Sequence, residues 1–189
     1  MKGSLVEQNQ ALDTLPQETC SGLGGRVLEI GFGSGLNARW YPATVDLVSA
    51  VEPSDVAWRL SQRRRDRVAT PVVRAGLDGQ ALDLPDASHD AALVTFSLCT
   101  IPDAAAALAE IRRTLRPGGR LHFLEHGLAP DPRVQRWQRR LDPIEKRVAG
   151  GCHLSRDPLE VLAASGWEVV EHVQRYLEGP RPGRPWTFV

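Results

Sequence analysis

Val27-Leu28-Glu29-Ile30-Gly31-Phe32-Gly33-Ser34-Gly35, with Glu52 closing the next apolar run, is the stretch that decides the fold. Leu28 to Ile30 reads as the buried end of a strand. Three glycines at alternate positions read as a tight turn that brings backbone very close to a ligand. Asn37 to Trp40 then opens a helix whose N-terminus faces the same ligand. Strand, glycine turn, helix and a second strand ending in an acid make a nucleoside-binding βαβ unit. Two residues narrow the nucleoside. The dinucleotide fingerprint has a third glycine where this chain has Leu36. Glu29, just before the turn, would repel a pyrophosphate and suits an ammonium-bearing ligand. Glu52 is then free to take both ribose hydroxyls.

These residues resemble the first two motifs of the class I S-adenosylmethionine-dependent methyltransferases: the acid and glycines of Glu29 to Gly35, then Glu52 with Pro53 and Ser54. A third block is similar over Gly76 to Asp90 and a fourth over Leu115-Arg116-Pro117-Gly118-Gly119-Arg120-Leu121. Four blocks in order, across roughly residues 26–126, make the match specific. The later segments Phe123-Leu124-Glu125-His126, Asp131-Pro132 through Trp137, Leu141 to Arg147 and Gly151-Cys152-His153-Leu154 resemble the thiol S-methyltransferase-like subgroup, which is related to the quinone C-methyltransferases. Some animal members carry a hydrophobic membrane anchor; no such stretch stands in these residues.

The resemblance implies S-adenosyl-L-methionine as cofactor and S-adenosyl-L-homocysteine as product. It implies cofactor contacts from Glu29, Gly31, Phe32, Gly33, Ser34, Gly35, Asn37, Glu52, Pro53 and Ser54. Asp78 would receive the adenine amino group and the Gly79 amide would meet the ring; an Asp-Gly turn is the plain alternative. Ser97, Leu98 and Cys99 end a central strand, where ligand crevices form. Cys99 reads more simply as a small buried hydrophobe than as a nucleophile or metal ligand. His126 and His153 fall on loops, which makes them the candidate general bases.

Composition bounds the rest. The chain has 189 residues, formal net charge zero and three cysteines without metal spacing. One domain over 1–189 is expected, with an N-terminal cap region 1–24, a cofactor core 26–126 and an inserted helical acceptor cover 127–165. The charge balance gives no case for nucleic acid or an anionic membrane from the whole-protein field. No apolar run approaches the ~18 residues that span a bilayer. A polar N-terminus and sparse cysteines point to the cytoplasm. No metal is expected, and the oligomeric state is not legible. Methylation of a metalloid would need Cys20, Cys99 and Cys152 to converge, and their spacing offers nothing toward that.

Short apolar runs predict strands at 26–30, 47–51, 71–74, 90–96 and 120–125, with helices between them at 55–66, capped by Ser54, and 104–115. A short helix around Leu5 to Leu15 would cover the cofactor. Asp131-Pro132 starts a helix with Val134, Trp137, Leu141, Ile144 and Val148 on one face, and Asp157-Pro158 starts another through Ala164. Trp167–Tyr176 and Pro185–Val189 read as a final antiparallel pair joined by the loop 179–183. The predicted architecture is therefore α/β: a doubly wound, mostly parallel, seven-stranded Rossmann-like sheet ending in an antiparallel pair. The leading function is methyl transfer to a small-molecule acceptor, a thiol first. The alternatives are a quinone-like or small aromatic acceptor methylated at carbon or oxygen, and a non-catalytic cofactor-binding protein.

Overall fold

A computed structural model describes residues 14–177 and 183–189. The predicted helix at Leu5–Leu15 and the loop at 179–183 lie largely outside them. The described chain divides into two units. The first holds residues 16–95 and 106–123; the second holds residues 14–15, 96–105, 124–177 and 183–189.

Among the described residues, β1 (Gly25–Ile30), β2 (Val45–Val51), β3 (Val72–Gly76), β4 (His89–Thr95) and β5 (Leu115–Leu124) form one sheet in the order β3-β2-β1-β4-β5. β1 runs parallel to both β2 and β4, and β2 parallel to β3. Each strand was legible within a few residues, because a parallel strand buried on both faces reads as an unbroken apolar run. Val27, Leu28 and Ile30 are buried on β1, as are Ala91 to Val94 on β4. β5 starts five residues before the predicted strand. At Gly119, inside this added stretch, a Cβ would come to 3.0 Å from both the Asp90 and the Arg116 carbonyls.

The helices are α1 (residues 14–20), α2 (Asp55–Leu60), α3 (Gln62–Arg65), α4 (Ala104–Thr114), α5 (Pro132–Val148), α6 (Pro158–Ala164) and α7 (Arg184–Thr187). Ser54 caps α2 by accepting the Ala57 N–H at 3.2 Å, as expected. The predicted 55–66 helix is broken at the buried Ser61, whose hydroxyl bonds the Trp58 carbonyl at 2.7 Å; such back-bonding competes with the helix. No helix among the described residues is long and apolar enough to cross a membrane.

Three expectations are corrected. The helix predicted from Asn37 is a single 3₁₀ turn, Ala38–Trp40. Pro42 ends it, because the residue before a proline is driven out of the helical region, and Tyr41 is extended at φ −63° and ψ 126°. The described residues contain five strands, not seven. In place of a terminal strand pair there is one antiparallel bridge, Tyr176 to Phe188, flanked by backbone bonds between Arg175 and Val189. Pro185 favours the first turn of a helix, so the segment coils into α7 instead of extending.

The third correction concerns α5. Asp131 caps it through the Arg133 N–H at 2.8 Å, with Pro132 in its first turn. Its predicted apolar face does not pack as one stripe: Val134 is buried, but Trp137, Ile144 and Val148 are 55%, 57% and 73% exposed. Gln138 sets this rotation. Its buried amide accepts the Ala129 N–H and donates to the Gly127 and Pro185 carbonyls, all within 3.0–3.1 Å. Buried main-chain groups need such partners, so Gln138 faces inward and Trp137 turns out.

Candidate functional site

In the first unit, the carboxyl ends of β1 and β2 lie side by side, with Ile30 opposite Val51. The glycine turn follows directly, and the Gly31 and Phe32 N–H groups both reach the Val51 carbonyl. Gly31, Gly33 and Gly35 all have positive φ, a region that side chains disfavour. At Gly33 a Cβ would meet almost nothing. Its requirement is therefore conformational, and it leaves open space above the turn.

Glu52 fastens this turn. Its Oε2 accepts the Gly33 N–H and its Oε1 the Ser54 N–H, each at 2.7 Å, and the side chain is buried. Arg74 donates to the Glu52 carbonyl at 2.7 and 3.0 Å and pairs with Asp55. Each carboxylate oxygen carries two lone pairs and spends one on backbone. One remains on each oxygen for a ligand hydroxyl. Phe32 points inward, its ring 5.5 Å from that of Trp58, and Ser34 offers its carbonyl to Arg64.

Glu29 is wholly buried, and the chain itself satisfies it. Asn37 Nδ2 donates to Oε1 at 2.9 Å and the Tyr41 hydroxyl to Oε2. Burial raises its pKa to about 7, opposed by these two bonds. Asn37 also donates to Thr95 Oγ1 at 2.9 Å. It thus anchors an acid and caps no helix. In the sequence, Trp40-Tyr41 could be read only as an aromatic pair able to stack near the cofactor; the Tyr41 bond to Glu29 was not legible. Asp78 and Gly79 follow β3, but the exposed Asp78 carboxylate takes the main-chain and side-chain N–H groups of Gln80, both at 2.9 Å.

In the second unit, Ser97, Leu98 and Cys99 are brought together by a residue that carried no assigned role. Glu125 accepts the N–H groups of Ser97 and Leu98 on Oε1, at 2.7 and 2.8 Å, and that of Cys99 on Oε2, at 3.3 Å. Arg156 grips the same turn from its carbonyls, at Leu98 and, at 2.8 Å, Ile101. Burial raises Glu125 to about 7 against its backbone bonds. An acid ending an apolar strand run was the available signal.

His153 sits against this turn. Its main-chain N–H and its Nδ1 both meet the Cys99 carbonyl, at 2.9 and 3.1 Å. A carbonyl only accepts, so Nδ1 carries the hydrogen, and in the neutral ring Nε2 is then the acceptor. His126 stacks on Phe96 with centroids 4.8 Å apart, and Phe96 itself has the unusual φ of 48°. The His126 Nδ1 is buried without a partner among the described residues, and burial holds its pKa below the ordinary histidine value. Cys99 and Cys152 share a small apolar cluster with Leu154. Burial pushes the Cys99 thiol far up and the Cys152 thiol up, while Cys20 packs in the first unit's core and is raised to about 12. These are inert thiols, and no group of three metal ligands occurs among the described residues.

A pH dependence follows from Glu125. Its folded pKa exceeds the unfolded value of about 4.5. The stability it gives is fully present below that value and lost as pH rises through about 7. For a shift of this size the loss is about 3 kcal/mol. Glu125→Gln keeps an acceptor for Ser97 and Leu98 and cannot ionise. Urea unfolding at pH 5 and pH 8 should show a smaller difference in the variant than in the wild type; an equal difference would remove Glu125 as its source.

Comparison with known proteins agrees with this geometry. Residues 28–123 match the family described as a methyltransferase domain. Thiol S-methyltransferase TMT1B of Rattus norvegicus is 30% identical over 169 residues, covering 86% of this chain and 66% of that protein. Phosphatidylethanolamine N-methyltransferase of Cereibacter sphaeroides is 32% identical over 171 residues, covering 88% and 79%. The chain spans just under two thirds of the length of the thiol S-methyltransferases it matches. An S-adenosylmethionine-dependent methyltransferase from Mesorhizobium loti shares the fold, with a TM-score of 0.64 at 21% identity over 86% of this chain and 82% of that one. Motif order, sheet order and the acid-braced glycine turn converge, and the chain belongs to the class I S-adenosylmethionine-dependent methyltransferase family.

Proposed function

We propose that this protein transfers the methyl group of S-adenosylmethionine to a small-molecule thiol. The cofactor is supported most by the glycine turn held by Glu52, with one lone pair left on each carboxylate oxygen for two ribose hydroxyls; the thiol acceptor is supported by the similarity to the thiol S-methyltransferases. The sulfonium–methyl bond breaks as the acceptor–methyl bond forms; S-adenosylhomocysteine leaves, and the acceptor's proton goes to a base or to water. A thiol with pKa ~8.5 is already a few per cent thiolate at neutral pH, so the protein's main task is alignment. We assign the cofactor to the 26–126 core and acceptor recognition to the 127–165 segment, within a single methyltransferase domain. We assign any proton transfer to His153, whose Nδ1 bond to the Cys99 carbonyl leaves Nε2 as the acceptor of the neutral ring. The three free, buried cysteines are consistent with a reducing compartment such as the cytoplasm.

A second reading has a nitrogen or ring-carbon acceptor. The extended match to a phosphatidylethanolamine N-methyltransferase favours the amine, and the resemblance to quinone methyltransferases favours the carbon. Incubation of the purified protein with methyl-labelled cofactor and a panel of alkyl and aryl thiols, quinols, phenols and amines separates the three. The thiol reading expects label in thiols first. Label in amines or quinols alone overturns it, and bound cofactor with no transfer to any class points to a non-catalytic binder.

A further inference from the structure

We propose that the outer face of α5 is a docking surface for an anionic lipid bilayer, independent of the acceptor's identity. α5 has 17 residues, about 25 Å of helix. At ~100° per residue, Trp137, Ile144 and Val148 fall in one narrow outward row, and all three are more than half exposed. Beside it runs a second row, Arg133, Arg140 and Arg147, spaced seven residues apart, with Arg136 next to it. The helix carries six basic residues against two acids, Asp142 and Glu145, in a chain whose net charge is zero. Four of the six, Arg133, Arg136, Arg140 and Arg147, lie on one flank of the apolar row, while Arg139 and Lys146 lie behind it. Both acids fall away from that arginine flank: Asp142 takes the Ser155 N–H at 3.1 Å, and Glu145, on the other flank of the apolar row, is half-buried. Among the described residues no ion pair joins these arginines to an acid. Arg140 lies 5.6 Å over the Trp137 ring.

An apolar row with a tryptophan, flanked by a row of arginines on a helix of low overall hydrophobicity, suits a headgroup boundary. The apolar row enters the acyl region while the arginine stems reach back to phosphates. A second copy of the chain fits less well. An antiparallel two-fold contact on this face would set arginine row against arginine row. The zero net charge is why the whole-protein balance gave no hint of a membrane: the basic residues are concentrated locally.

Flotation of the full chain with vesicles tests this. Vesicles of phosphatidylcholine with 30% phosphatidylglycerol are compared with pure phosphatidylcholine, at low and high salt. Partitioning to the anionic vesicles should be at least ~10-fold stronger and should weaken with salt. Trp137→Ser/Ile144→Ser and Arg133→Gln/Arg140→Gln/Arg147→Gln should each cut it at least ~10-fold, with melting temperatures near that of the wild type because these side chains are exposed. Equal binding to both vesicles, binding unchanged in both variants, or a dimer in sedimentation that Trp137→Ser/Ile144→Ser dissolves would overturn the proposal; the dimer would mean that the face meets its own copy.

Discussion

Turnover of His153→Asn on the best acceptor is expected to fall ~10²–10⁴-fold with cofactor affinity retained. The basis is orientation. The Cys99 carbonyl fixes the hydrogen on Nδ1 and leaves Nε2 as the acceptor. Glu125 and Arg156 hold the turn that carries this carbonyl through its N–H and C=O groups. His126→Asn should cost turnover less than ~10-fold, because its unpartnered Nδ1 is buried and cannot reach an acceptor directly. Its loss should show in stability, since burial and stacking on Phe96 define that ring. Asparagine keeps much of the polarity and removes the titratable base, and unfolding measured on the same variants separates a lost base from lost packing. If both variants turn over like the wild type, and the rate climbs with pH toward the acceptor thiol's own pKa, the acceptor arrives already ionised. If His126→Asn alone collapses turnover, the base has been assigned to the wrong ring.

Glu52→Ala should lower S-adenosylmethionine affinity at least tenfold, from the loss of charge-assisted hydrogen bonds to ribose worth ~1.5–3 kcal/mol. It should also destabilise the ligand-free protein by roughly 2–4 kcal/mol, because the Gly33 and Ser54 N–H groups lose a buried carboxylate. A ribose ligand without that second role would leave the apo fold untouched. Glu52→Gln retains one carbonyl oxygen and should lose less stability than alanine. Urea unfolding and a cofactor titration on the same samples separate the two effects. Unchanged affinity in Glu52→Ala would exclude the side chain from the ribose site, whatever its effect on stability.

Both predictions rest on residues of different legibility. Glu52 and the three glycines could be read directly, because a close backbone approach demands glycine and a strand-end acid has few other uses. The strands were legible for the same kind of reason, being buried on both faces. Tyr41 and Glu125 were not. Each acts on groups distant in sequence, Tyr41 on Glu29 and Glu125 on the amides of residues 97–99, and nothing local marks such a pairing. The helix after the glycine turn was overread: Pro42 limits it to one 3₁₀ turn, so little helix dipole stands behind the cofactor loop. The rotation of α5 depended on Gln138, a polar residue that periodicity would place outside and that backbone satisfaction places inside. The last segment failed as a strand for a legible reason, since Pro185 is a helix-start signal there.

Isothermal titration of the purified protein with S-adenosylmethionine, S-adenosylhomocysteine and NAD tests the family reading at its centre. The Glu52 carboxylate, the open space over Gly33 and the buried acid at Glu29 predict micromolar-range binding of the first two, roughly −8 kcal/mol. NAD should bind far more weakly, because Leu36 stands where the pyrophosphate loop has its third glycine. NAD binding as tightly as S-adenosylmethionine, or no heat from either sulfur nucleoside, would contradict the account.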